Sequence, residues 1–289
     1  MPGVPGVLSL LVIASGLAAA APAKARWETL PPPPAMPEPL THGDVDVAGA
    51  HLYYATYGVP AGEPLILLHG GLGNSEHWGG QLPALAKTYN IIAIDSRGQG
   101  RSTRANAKMT YDLMASDVIA VMDKLAIKRA AIVGWSDGGE VALLLGIHYA
   151  ERVSKLVALG VNYDEHGSKS RGSHTPTFQA YSGRCRADFV RLTKPANPAR
   201  AWDLLVDGLL PLWREPMSLT KDQLATIKAP TLIADGDHDE VIVLDQEREM
   251  AKLIPGGKLV VLADTSHFAM WQAPDDVNTA LVEFLAGKP

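Results

Sequence analysis

The chain has 289 residues, 47% apolar and 20% charged, with a formal net charge of −5. That length suits one sizeable domain around a buried core, and the acidic balance offers none of the polybasic surface on which nucleic-acid binding depends. The single cysteine, Cys185, stands among arginines in GRCRADF, which excludes an internal disulfide and a cysteine metal site.

The chain opens on GVLSLLVIASGLAAAAPAKA, Gly6 to Ala25. An apolar stretch from Val7 to Leu17 leads to small residues that offer an A-x-A site at Ala21-Pro22-Ala23 or Ala23-Lys24-Ala25. Residues 1–25 therefore read as a secretory signal, although no Lys or Arg precedes the apolar stretch. The stretch is shorter than the ~20 apolar residues that span a bilayer. The expectation is a secreted or periplasmic protein with no stable membrane association after cleavage. LPPPPAMPEP, Leu30 to Pro39, favours extended polyproline and opposes helix and sheet, so residues 26–41 read as a linker and 42–289 as the folded domain.

From Val45 onward short β-rich runs alternate with helical ones. DVDVAGAHLYYATYG reads as two strands around Gly49, and PLILLHGG as an apolar strand ending in glycines. NIIAIDS, RAAIVGWS, KLVALGV, PTLIADGD and KLVVLAD continue the series, and TYDLMASDVIAVMDKLA carries apolar residues at helical spacing. Strands apolar on both faces and separated by helices predict an α/β fold, a mostly parallel sheet with helices on both faces. Chemistry then belongs at the carboxyl edge of the strands. The alternation breaks from about Tyr163 to Lys221, too long for a bare loop, which predicts a helical cap inserted over that edge. Trp202 and Trp213 in this stretch either line the pocket or form the core of the cap.

GWSDG, Gly134 to Gly138, fits G-x-S-x-G with a strand before it and a helix after it. A sharp turn of that kind exposes a strained serine, Ser136, above the sheet. A serine hydroxyl is a poor nucleophile at neutral pH and needs a base oriented by a carboxylate. His267 in LADTSHFAMW follows the last strand and is the candidate base. Asp235, Asp237 and Asp239 in IADGDHDEVI are all candidates for the acid, and spacing alone does not separate them. A metal site on Asp237, His238 and Asp239 is disfavoured, because neighbouring residues rarely converge on one ion. The oxyanion of the attacked carbonyl needs two amides: Asp137, which follows the nucleophile, and Gly71 in LLHGGLGN, with Leu72 as the alternative. His69, at the end of its strand, is expected to pack or hydrogen-bond beneath that loop.

LLHGGLGN, AIDSRGQGRS, VGWSDGGEVAL and the late pair DGDHDEVI and TSHF, in this order, resemble the α/β-hydrolase superfamily from Asp44 to Gly287. The resemblance implies the α/β-hydrolase fold and, through its G-x-x-D pattern, points to Asp239 as the acid. It gives Arg97 and Ser102 a structural part in holding the glycine turns. Serine at 136 speaks against the haloalkane dehalogenases and epoxide hydrolases of this fold, which use aspartate there. Ala150 in HYAERV stands where proline is common, with no catalytic consequence. GWSDGG is similar to the elbow of valacyclovir hydrolase-like members, in which an acid after the serine is associated with amino-bearing substrates. The plainer alternative leaves the Asp137 side chain in solvent, with only its amide engaged.

The expected activity is hydrolysis of a small-molecule ester or lactone by the triad Ser136, His267 and Asp239 through an acyl-serine, with no cofactor and no metal. Carbon–carbon bond hydrolysis or perhydrolysis on the same triad is the alternative chemistry. A non-catalytic binding protein of the same fold is the alternative class.

Overall fold

The eight strand-like runs of the sequence coincide with the eight strands of the structure. The structure, a computed structural model, describes residues 24–47, 49–104, 108–196, 198–214 and 217–287. The signal reading rests on residues 1–25, of which 1–23 lie outside the described residues. In chain order the elements are β1 (Thr41–Val47), β2 (Ala50–Gly58), β3 (Pro64–Leu68), α1 (Leu82–Leu85), β4 (Asn90–Ile94), α2 (Tyr111–Lys124), β5 (Ala130–Trp135) and α3 (Asp137–His148). There follow β6 (Val153–Leu159), α4 (Pro176–Thr193), α5 (Pro198–Arg214), α6 (Lys221–Ala225), β7 (Thr231–Gly236), α7 (Leu244–Leu253), β8 (Lys258–Leu262), α8 (Ala269–Gln272) and α9 (Pro274–Leu285).

Among the described residues the strands form one eight-stranded sheet in the order β1-β2-β4-β3-β5-β6-β7-β8. β1 and β2 pair antiparallel, β2 meets β4 antiparallel, and every later pairing is parallel. Every residue of β5 and β7 is buried, as strands covered by helices on both faces must be. α2 shows how the covering is encoded. Thr110 caps it by accepting the Leu113 amide at 3.1 Å, and Met114, Val118, Val121 and Met122 recur at helical spacing on its buried face.

The interval without strand signals does carry helices, α4 and α5, between β6 and β7. Pro176 opens α4, where a missing N–H costs nothing, and Thr175 caps it. On α5, Trp202, Leu205, Leu209 and Leu212 are buried at helical spacing, and Trp202 packs on Phe189 of α4 with ring centroids 6.0 Å apart. Trp202 therefore belongs to the core of the cap.

The proline-rich stretch read as a linker lies against the body. Arg184 of α4 donates to the Leu30 and Pro31 carbonyls at 2.8 and 3.0 Å, and Gln272 to those of Trp27 and Thr29 at 3.1 and 2.7 Å. Polyproline conformation makes no hydrogen bonds of its own, so its carbonyls are free to accept from side chains. Trp27 also stacks on His238 at 4.9 Å, beside the loop that follows β7.

In the loop after β4, Ser102 accepts the Tyr53 amide and donates to the Asp95 carbonyl, pinning the glycine turns to β2. Arg97 reaches further, to Asp117 on α2, with Nε 2.7 Å from one carboxylate oxygen and Nη2 on the other. Both side chains are buried. Removing one partner of such a pair strands the other charge, so Arg97→Met is expected to lower unfolding free energy by about 3–5 kcal/mol. Urea denaturation of the two proteins measures it, and a loss under 1 kcal/mol would mean that Asp117 is neutralised at little cost.

Candidate active site

The loops that follow β3, β5, β7 and β8 meet at the carboxyl edge of the sheet. At the end of β5 the chain reverses through Ser136, whose φ of 54° and ψ of −125° lie in a region that side chains avoid. Two glycines make the reversal possible. A Cβ on Gly134 would stand 2.1 Å from the Gly138 carbonyl oxygen, and one on Gly138 would stand 2.3 Å from that of Leu68. The turn thus presses α3 against β3 and leaves Ser136 half-buried with its hydroxyl at the edge.

Ser136 Oγ lies 3.0 Å from His267 Nε2, and His267 Nδ1 lies 2.7 Å from Asp239 Oδ2. A carboxylate only accepts, so Nδ1 carries the proton and Nε2 is left to accept from the serine hydroxyl. Asp239 is fixed in turn by the amides of Val241 and Ile242, the latter at 2.7 Å. Of the three candidate acids, only Asp239 reaches the imidazole in this way. Asp237 sits at the surface, with His238 Nδ1 donating to its Oδ1 at 2.8 Å, and Asp235 is buried at the end of β7. Asp237, His238 and Asp239 thus face different ways and do not converge on one point. A closer grouping of potential metal ligands is Asp235, Asp239 and His267, one atom of each within 4.8 Å of the others. Two of its members are already spent on the hydrogen bonds to each other and to Ser136.

His267 is held through its backbone as well. Trp135 Nε1 donates to its carbonyl at 2.9 Å, and its amide donates to Glu240 Oε2 at 3.1 Å. The other oxygen of Glu240 accepts from Thr177 in the first turn of α4, so the cap and the histidine loop share one carboxylate. Neither residue was singled out from the sequence. Trp135 adjoins the serine within the elbow motif, whereas nothing local marks Glu240.

The glycine loop after β3 packs onto the elbow. A Cβ on Gly70 would be 3.0 Å from Ser136 Cβ, and one on Gly71 would be 2.6 Å from Asp137 Oδ2. The amides of Gly71, Leu72 and Asp137 donate to no acceptor among the described residues, and Tyr181 of α4 fixes this loop by donating to the Gly71 carbonyl at 2.6 Å. His69 lies beneath it as expected, donating from Nδ1 to the Gly70 carbonyl at 2.7 Å and accepting the Ser96 amide at 2.9 Å. Burial lowers its pKa to about 4, which keeps it neutral.

The Asp137 side chain is not in solvent. It is 5% exposed, and its oxygens accept from Trp213 Nε1 of α5 at 3.0 and 3.3 Å and from the Tyr111 hydroxyl at 3.1 Å. Burial pushes its pKa up to about 6 against the opposing pull of those donors and of His267. Trp213 thus belongs to the site, unlike Trp202. The α5 helix turns one indole to the cap core and the other to the elbow.

Burial by itself would lower the pKa of His267, but the Asp239 carboxylate beside it prevails and raises it above the ordinary value near 6.5. Burial likewise opposes ionisation of Asp239, and the imidazole beside it holds its carboxyl below the usual range. A base must be neutral to accept a proton. The reaction of Ser136 with an acylating or phosphonylating reagent is therefore expected to fall as pH drops through a value above about 6.5. Rates of labelling between pH 5 and 9 measure this limb, and a midpoint below that of free histidine would show that burial prevails.

A family model described as "Alpha/beta hydrolase family" matches residues 65–280. The human serine hydrolase BPHL is 28% identical over 255 residues, covering 85% of this chain and 87% of its own. A putative non-heme chloroperoxidase of Synechocystis is 27% identical over 277 residues, covering 85% of this chain and 99% of its own. The solved structure of Est816, described as an N-acyl homoserine lactone degrading enzyme, is similar at 28% identity with a TM-score of 0.63, over 84% of this chain and 100% of its own.

Proposed function

The chain belongs to the alpha/beta hydrolase family, and from that premise we propose that it is a serine hydrolase cleaving small carboxylic esters or lactones through an acyl-serine intermediate. The observation that carries the reading is the unbroken run from Ser136 Oγ through His267 to Asp239, at 3.0 and 2.7 Å, with both partners of the serine buried.

In this reading Ser136 Oγ attacks the carbonyl carbon as its proton passes to His267 Nε2, and Asp239 stabilises the imidazolium that forms. Amides of Asp137 and of Gly71 or Leu72 receive the oxyanion. His267 returns the proton to the departing alkoxide, and a water repeats the sequence in reverse to release the acid. A lactone follows the same course with its alcohol still tethered, in keeping with the similarity to Est816. The similarity to a chloroperoxidase favours a second reading, in which hydrogen peroxide rather than water takes the acyl group from Ser136. The signal-like residues 1–25 support export, and among the described residues no helix is long and apolar enough to cross a membrane.

A fluorophosphonate probe followed by peptide mass spectrometry tests the nucleophile. An adduct on Ser136 that is lost in His267→Ala supports the reading, and product analysis on p-nitrophenyl esters and acyl lactones, with and without peroxide, then separates the chemistries. A folded protein without an adduct overturns it in favour of a binding protein of hydrolase fold.

A further inference from the structure

Behind the triad lie two carboxyl groups that the reaction leaves without a part. Asp235, near the end of β7, is 3% exposed, and Glu247, in the first turn of α7, is fully buried. Each has one oxygen satisfied by an amide, Asp235 Oδ1 by Gly236 at 2.7 Å and Glu247 Oε1 by Val161 at 3.0 Å. Each has its other oxygen, Asp235 Oδ2 and Glu247 Oε2, buried with no donor. One oxygen of Asp235 nevertheless lies within 4.8 Å of one of Asp239, and the charges of Asp239 and Glu247 both act on Asp235. The packing is close on the triad side too. A Cβ on Gly160, where φ is 59°, would stand 3.0 Å from His267 Nδ1 and 3.5 Å from Asp235 Oδ1.

Among the described residues the groups facing this cluster are few. β7 and the loop after it present Asp235, Asp239 and Glu240, α7 presents Glu247 and the neutral Gln246, and the loop after β8 presents His267. Lys169, the cation near the acid loop, donates to the backbone carbonyl of Asp239 and not to a carboxyl. Asp235, Asp239 and Glu247 thus share one buried space with a single imidazole, while Glu240 is only half-buried and its oxygens accept from the His267 amide and Thr177. Adjacent carboxylates in a buried site do not all ionise together, and an oxygen with no donor is satisfied when a proton lies between it and its neighbour. Asp239 is the one with two amides and an imidazole to stabilise a charge, so the protons belong on the other two.

We propose that Asp235 is held as a neutral carboxylic acid that donates to the Asp239 carboxylate and is itself supported by a neutral Glu247, making Asp235 a positioning residue for the catalytic acid. The proposal rests on the hydrolase reading for its consequence but not for its existence. The run of hydrogen bonds then extends from Ser136 through His267, Asp239 and Asp235 to Glu247, and it carries one negative charge. Burial and the neighbouring carboxylates raise the Asp235 pKa well above the ordinary value, and burial takes that of Glu247 to about 8, in keeping with protons on both. A donor on Asp239 spreads its charge and moderates its pull on the imidazolium, which sets how basic His267 is.

Infrared spectroscopy of the protein without substrate at pH 7 reads the protons directly. A carbonyl stretch of protonated carboxyl groups is expected, part of it lost in Asp235→Asn and part in Glu247→Gln. If that band is absent, or is unchanged in Asp235→Asn, the proposal fails whatever the protein hydrolyses. The second readout is the acid limb of fluorophosphonate labelling. Asp235→Leu, which removes the donor, should move that limb upward by about half a unit or more and slow labelling about tenfold. Asp235→Asn, whose amide donates in place of the hydroxyl, should return the limb to within ~0.3 units of the parent. A downward shift of about a unit in Asp235→Asn would instead mean that a charge had been removed, and would overturn the proposal. Should Asp235→Leu not fold, the Asn and Gln variants decide the question by themselves.

Discussion

Ser136→Ala is expected to lower ester or lactone turnover by about 10⁴-fold or more while the protein stays folded, because nucleophile and base act as one unit and neither substitutes for the other. Alanine removes one oxygen and keeps the Cβ, so the turn that presses α3 against β3 is undisturbed. The strain at φ 54° remains as well, since alanine tolerates that conformation no better than serine. Unfolding free energy should therefore change by under about 1 kcal/mol. Initial rates on the best ester, together with urea denaturation, separate the two effects. Turnover within tenfold of the parent in a folded variant would mean that another nucleophile performs the reaction.

Asp239→Asn is expected to cost about 10⁴-fold in kcat, for a reason that lies in proton placement and not in shape. The carboxylate accepts from His267 Nδ1 at 2.7 Å through one oxygen and from two amides through the other. In the asparagine variant the carbonyl oxygen stays with the amides of Val241 and Ile242, which can only donate. The amide NH₂ is then turned to the imidazole and asks Nδ1 to accept. The ring proton moves to Nε2, which can no longer take one from Ser136. The acid limb should also fall toward or below 6.5, since the charge that raised the imidazole pKa is gone. A pH–rate profile of the variant checks both. An unchanged limb would show that the other carboxyls, not Asp239, set the basicity of His267.

Much of the fold is legible because it is local. Strand after strand is announced by an apolar run bounded by glycine, proline or asparagine, and α2 by the three-and-four spacing of Met114, Val118, Val121 and Met122. The elbow is legible because two glycines on either side of a serine, between a strand and a helix, have a steric meaning that the distances from Gly134 and Gly138 bear out. Asp235, Asp237 and Asp239 show where such reading ends. They alternate at a strand end, and only the path of the loop that follows decides which carboxyl is buried by β7, which faces water and which turns to the histidine loop. The family pattern chose among them where spacing could not.

Other features depend on contacts between residues far apart in the chain. The Asp137 carboxyl, read as an attractor of amines or as a solvated group, is enclosed by Trp213 of the cap and Tyr111 of α2, 76 and 26 residues away. The proline-rich stretch reads as a spacer because proline suppresses regular structure, yet its Leu30 and Pro31 carbonyls are taken up by Arg184, while Gln272 holds the segment just before it. Composition and periodicity record what each segment does with its own backbone, and by themselves they determined the strands, the helices, the cap insertion and a strained serine at a strand end. The sheet order and the register of its parallel pairs decided the rest. They bring the ends of β5, β7 and β8 side by side, so that Ser136, Asp239 and His267 meet with two further buried acids behind them. That convergence follows from packing energies shared over the whole core, and no single stretch of sequence carries it.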